Sequence, residues 1–132
     1  MPSDNAPSDM VSVRYLVDDV QASIDWYAKH LGFTVLTNYA PAFADVARGS
    51  LRLLLSGPTS SAARPMADGA QPRAGGWNRI HLIVEDLAAE IERLKAEGAQ
   101  LRNEMVKGPG GAQVLLVDPS GNLVELFEPA RR

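Results

Sequence analysis

Five side chains in this chain are equipped for chemistry: Arg14, Trp77, Arg79, His81 and Glu125. Trp77, Arg79 and His81 alternate along Trp77-Asn78-Arg79-Ile80-His81-Leu82-Ile83-Val84, so an extended segment here projects all three, with Ile83, from one face. The same alternation puts Leu123, Glu125 and Phe127 on one face of a later strand, and Ser12, Arg14 and Leu16 on one face of an early strand. A guanidinium offers a planar fork to a carboxylate or phosphate, so Arg79 or Arg14 could receive an anionic group. The competing reading pairs Arg79 with Glu125 as a structural salt bridge. Trp77 could stack on an aromatic ligand or simply pack beside a linker. His81 is the one candidate for a general base. No second catalytic group accompanies it, which favours a histidine hydrogen-bonded within a polar face.

Other chemistries are excluded by what is missing. With no cysteine there is no disulfide, thiolate metal site or thiol nucleophile. No Ser/His/Asp order or paired-carboxylate arrangement occurs. Gly108-Pro109-Gly110-Gly111 lacks the following lysine and helix of a phosphate loop and reads as a turn. His30, near a helix C-terminus, has no chemistry to perform. A net charge of −3 argues against a nucleic-acid partner. No apolar run approaches a membrane span, and the first residues have neither a basic start nor an apolar stretch. The expected location is therefore cytoplasmic.

These residues must be positioned by elements, and the elements occur twice. Val17-Asp18-Asp19-Val20 with Ile24 recurs as Val84-Glu85-Asp86-Leu87 with Ile91, at an offset of 67 residues. Each copy has an apolar-rich strand before it and an amphipathic helix after it, capped by aspartate and stopped by Gly32 or Gly98. Val20, Ile24, Tyr27 and Leu31 define the first helix face; Leu87, Ile91 and Leu94 define the second. Strands are predicted over 11–17, 33–39, 43–48 and 51–55, then over 77–84, 99–105, 113–117 and 123–127. Asp118-Pro119-Ser120-Gly121-Asn122 is a hairpin turn. The fold class is thus α+β: two βαβββ modules, whose curved mixed sheets would enclose a cavity. The organisation expected is a disordered tail at 1–10, then a single domain over 11–129. It comprises a first module 11–56, a linker 57–76 that could act as a lid, and a second module 77–129.

The motif order resembles the glyoxalase, bleomycin resistance protein and extradiol dioxygenase superfamily, also called vicinal oxygen chelate. The carriers are Val17-Asp18-Asp19-Val20, Trp26-Tyr27 and Leu31-Gly32-Phe33, then His81 to Leu87, Asp118 to Asn122, and Val124-Glu125-Leu126. The resemblance implies a core seat for Trp26 and Tyr27, and four side chains holding one divalent metal in catalytic members. The matching positions are Ser12, Leu53 or Leu54, Arg79 and Glu125, of which Glu125 alone is a ligand type. Leucine donates nothing and a guanidinium repels a cation. The expectation is therefore a metal-free, bleomycin-resistance-like protein with no cofactor. It would bind an organic ligand, anionic or aromatic, in the inter-module cavity through Arg14, Trp77, Arg79, His81 and Glu125. A homodimer is the assembly that the resemblance implies. The alternative is a lyase, isomerase or dioxygenase with one divalent metal on His81 and Glu125. A third reading is a non-enzymatic regulatory module whose cavity is filled by its own side chains. Arg52 is expected to be a solvated charge on an outward-facing side.

Overall fold

A computed structural model describes residues 9–131. Residues 1–8 of the expected tail, and Arg132, lie outside the described residues. The chain divides between Pro72 and Arg73 into two compact units, each built around its own sheet.

The first unit runs β1 (Val11–Leu16), α1 (Val20–Leu31), β2 (Thr34–Tyr39), β3 (Phe43–Arg48) and β4 (Leu51–Ser56). The sheet order is β1-β4-β3-β2, with β1 parallel to β4 and the other pairs antiparallel. Local chemistry sets the bounds of α1. The Asp19 carboxylate accepts the Ala22 N–H at 3.0 Å, satisfying a donor that the first helical turn leaves free. Gly32 ends the helix at φ 68°, a left-handed conformation that a side chain would resist. Val20, Ile24, Tyr27 and Leu31 are buried, as their spacing predicts. Beyond β4 the chain is not wholly irregular: Ser61–Ala63 form one 3-10 turn, with Ala63 buried and its carbonyl accepting from Gln71.

The second unit repeats the order with β5 (Ile80–Ile83), α2 (Leu87–Ala96), β6 (Gln100–Leu101), β7 (Val106–Gly108), β8 (Gly111–Val117) and β9 (Leu123–Pro129). Asp86 caps α2 by accepting from Ala89 N–H at 3.0 Å, and Leu87, Ile91 and Leu94 are buried. The turn at 118–122 is held by Asp118, whose Oδ1 accepts the Ser120 and Asn122 N–H groups at 2.8 and 2.9 Å.

Two expectations about strands need correction. The strand predicted over 77–84 begins only at Ile80, because no ladder partner exists for Trp77 to Arg79. The strand predicted over 99–105 is interrupted. Gln100–Leu101 pair with Val117 and Leu116, but Val106–Gly108 pair with Gln113 to Gly111, leaving Arg102 to Met105 opposite only Leu115 and Val114. Two extra residues make this a special bulge rather than a single-residue one. The lost ladder is partly replaced: Arg102 N–H reaches Leu115 O at 2.8 Å, and Asn103 Oδ1 accepts from Leu115 N–H at 3.0 Å. With β6 and β7 counted as one broken strand, each unit is βαβββ.

Candidate functional site

Strand parity builds the site in the second unit. Ile80, Leu82 and Val84 are buried on the α2 side, which turns Arg79, His81 and Ile83 to the opposite face. Parallel pairing of β5 with β9 sets His81 beside Glu125 and Ile83 beside Phe127. Glu125, only 7% exposed, accepts from Arg79 Nε at 3.0 Å, and Arg79 Nη2 lies 2.9 Å from the same oxygen, Oε1. His81 Nε2 stands 3.5 Å from the other oxygen, Oε2, and its ring centroid is 4.8 Å from that of Phe127. A buried carboxylate is costly unless a cation and hydrogen bonds compensate it, and Arg79 supplies both. Arg79 Nη1 in turn donates to Trp77 O at 3.2 Å. Every nitrogen of this guanidinium thus faces an internal acceptor. The geometry favours the salt-bridge reading of Arg79 over the ligand fork.

The divalent cation considered for His81 and Glu125 does not suit this donor set. Guanidinium nitrogens crowd Glu125 Oε1. Among the described residues, no group of three or more His, Cys, Asp or Glu converges to hold a metal ion. A cation of that charge requires several converging donors and cannot share them with a fixed positive group.

Trp77 lies outside the strand that was predicted to carry it. It precedes β5 and is 64% exposed, with Arg102 carbon Cζ 5.7 Å from its ring centroid. The two line a recess of about 400 Å³ with Gln100, Val117, Gly121 and Leu123. Leu123 is two residues before Glu125 on β9, so the recess opens on the face that carries Glu125. Sequence reasoning missed Arg102. It stands in the bulge that was read as a continuous strand, so its side chain could not be assigned to a face. Among the described residues its guanidinium makes no hydrogen bond and lies over the Trp77 ring, so its fork is available on this side of the sheet.

The first unit carries its own polar face. Arg14 Nη1 donates to the buried Ser56 Oγ at 2.9 Å. Ser12 pairs with Arg52, and Arg14 with Leu54, so Arg52 shares the face of Arg14. The outward, solvated placement expected for Arg52 is wrong. Its side chain is 27% exposed and lies 3.4 Å from the buried carboxylate of Asp45. Asp45, across the ladder from Leu54, was also missed; its alternation with the buried Ala44 and Val46 was the available signal. Its Oδ1 and Arg52 Nε are buried without a hydrogen-bond partner. Leu53 packs on the helix side with Val46, so neither it nor Leu54 could donate to a cation.

The model of the Glyoxalase/Bleomycin resistance protein/Dioxygenase superfamily matches residues 10–126. The chain belongs to that superfamily. A lactoylglutathione lyase from Agrobacterium tumefaciens is 25% identical, with a TM-score of 0.69 over 93% of this chain and 95% of that one. A superfamily member from Sphaerobacter thermophilus is also 25% identical, with a TM-score of 0.72 over 90% of this chain and 95% of that one. An antibiotic-binding protein from a Streptomyces species shares the fold at 22% identity, with a TM-score of 0.70 over 92% of this chain and 95% of that one. No curated protein matches the chain. The paired βαβββ architecture is therefore that of the superfamily. Among the described residues no helix is long and apolar enough to cross a membrane.

Proposed function

We propose that this superfamily member binds a small organic molecule without a metal, on the face of the second sheet that carries Glu125. The observation that carries the reading is the Arg79–Glu125 pair: an internal guanidinium compensates the only carboxylate of ligand type at the family's metal positions. What remains for a ligand is an aromatic and cationic surface. Trp77 offers an exposed ring, Arg102 an unspent fork, and His81 with Ile83 and Phe127 a partly apolar platform. This chemistry suits an aromatic molecule bearing a carboxylate. Arg79 and Glu125 position His81 rather than meet the ligand. The protein works as a homodimer in the cytoplasm, with a small molecule rather than nucleic acid or membrane as its partner. The Streptomyces neighbour's description as an antibiotic-binding protein is in keeping with a role in sequestration.

The test is thermal stabilisation by a panel of aromatic carboxylates, with and without chelator. A binder present at 100 times its Kd adds about 2.7 kcal/mol to stability. The expected shift persists in chelator and is lost in Trp77→Ala and Arg102→Ala. Stabilisation that requires added Ni, Zn, Mn or Fe(II) would sink the metal-free reading.

A further inference from the structure

The bulge that breaks the second strand of the second unit also opens a groove on the other side of the sheet. Val114 and Leu116 are buried toward α2, and Leu101 pairs with Leu116, so this is the helix side, opposite Glu125 and Trp77. The groove holds about 560 Å³ and lies between α2 and residues 101–105. Its base is apolar: Ile91, Leu101, Met105 and Val114. Ala88, exposed on α2, leaves one end open because its side chain is short.

Its rim bears charges of both signs. Glu92 and Lys95 come from α2, and Arg102 and Glu104 from the bulge. Among the described residues Glu92, Lys95 and Glu104 form no ion pair and Arg102 lies over Trp77, whereas nearby Arg93 is fully engaged by Glu90 and Glu97 on the same helix. Asn103 spends its oxygen on Leu115 N–H and keeps its amide donors free. The bulge therefore exchanges regular ladder hydrogen bonds for a recess with unspent polar groups around an apolar base. Bulges that re-aim side chains in this way gather at functional sites.

We infer that this groove is a second small-molecule site, distinct from the proposed one, and that it takes an uncharged, largely apolar molecule with hydrogen-bonding groups at its edges. Three observations select that occupant. The volume falls within the ordinary range of small-molecule sites, about 300–1,000 Å³. The rim sets Glu92 and Glu104 against Lys95, the Arg102 guanidinium lying over Trp77, so an anionic ligand meets net repulsion, while the apolar base offers a cation no buried partner. Met105 supplies an unbranched, adaptable wall that fits varied apolar shapes.

The probe is Nile red, uncharged and fluorescent in apolar surroundings, titrated into the full chain. A saturable one-site rise in emission is expected, and anilinonaphthalene sulfonate, which is anionic, should bind more weakly. Ala88→Trp fills the open end from an exposed helix position and should weaken Nile red about tenfold or more, with the circular dichroism unchanged. Met105→Trp from the opposite wall should do the same. An independent readout needs no variant: Nile red should shift the amide resonances of Ile91, Leu101 and Val114. The inference is overturned if Nile red shifts only residues around Trp77 and Leu123. It also fails if folded Ala88→Trp and Met105→Trp bind the dye like the parent chain, or if affinity falls as protein concentration rises, which would mean that a second copy fills the groove.

Discussion

Arg79→Met tests whether the guanidinium holds Glu125 in its buried place. The substitution keeps an unbranched apolar side chain but removes both contacts to Oε1 and the one to Trp77 O. Glu125 then keeps the His81 ring beside it, with Nε2 at 3.5 Å from Oε2. Removing one member of a fully buried pair costs about 3–5 kcal/mol. Here the Glu125 side chain is 9% exposed but that of Arg79 is 28%, so water screens one side of the pair and can partly solvate the abandoned carboxylate. A loss of about 2 kcal/mol is expected after that discount. At roughly 3–5 °C per kcal/mol for a chain of this size, Tm falls by about 6–10 °C. Urea unfolding followed by circular dichroism measures the loss directly. The decisive comparison is the cycle with Glu125→Gln, which removes the charge and keeps the shape. The double variant should be more stable than Arg79→Met alone, with a coupling energy of about 1–2 kcal/mol. A single-variant loss under about 0.5 kcal/mol, or a coupling near zero, would mean that solvent and not Arg79 compensates Glu125.

Three further outcomes are expected from local geometry. Asp19→Ala and Asp86→Ala each remove a helix N-cap and should each cost about 1 kcal/mol in urea unfolding, because the two caps have the same geometry. Gly111→Ala should cost more than about 2 kcal/mol, since at φ 149° its Cβ would run into Glu128 O and come within 2.8 Å of Phe127 Cζ; Gly108→Ala, with open space around it, should be nearly neutral. Asn103→Ala leaves the Leu115 N–H without its acceptor and should cost about 1–2 kcal/mol, with faster hydrogen exchange at that amide.

Much of the fold was legible because its signals are local. The two capping aspartates, the glycine stops and the apolar helix faces each report a conformation that their own side chains or backbone enforce. Duplication strengthened every one of them, since a motif seen once at Asp19 could be sought again at Asp86. The failures share a different cause. Nothing local in Gln100 to Gly108 announces a bulge of two extra residues; that register depends on which residues of β8 the segment meets. Arg102, Asn103 and Glu104 were consequently assigned to no face. The strand predicted from Trp77 starts too early for a related reason, since alternation continues to be read after the ladder that enforces it has ended.

Asp45 and Arg52 show what a polar residue inside a strand can and cannot reveal. Alternation alone assigned Arg14 to the face opposite the helix, and the parallel register with β4 carries Arg52 to that same face. The step from a strand to its neighbour was the missing one, because parity within β4 was never anchored to parity within β1. Once anchored, the sequence places an arginine beside a buried aspartate, and solvation ceases to be the default for either. The Arg79–Glu125 pair was accessible to the same reasoning because the resemblance supplied that anchor, matching the position just before β5 to one on β9. Charged residues on neighbouring strands therefore carry functional information in proportion to how well the register between the strands is known. In this chain the best-anchored pair is also the one that commits the Glu125 carboxylate to a guanidinium.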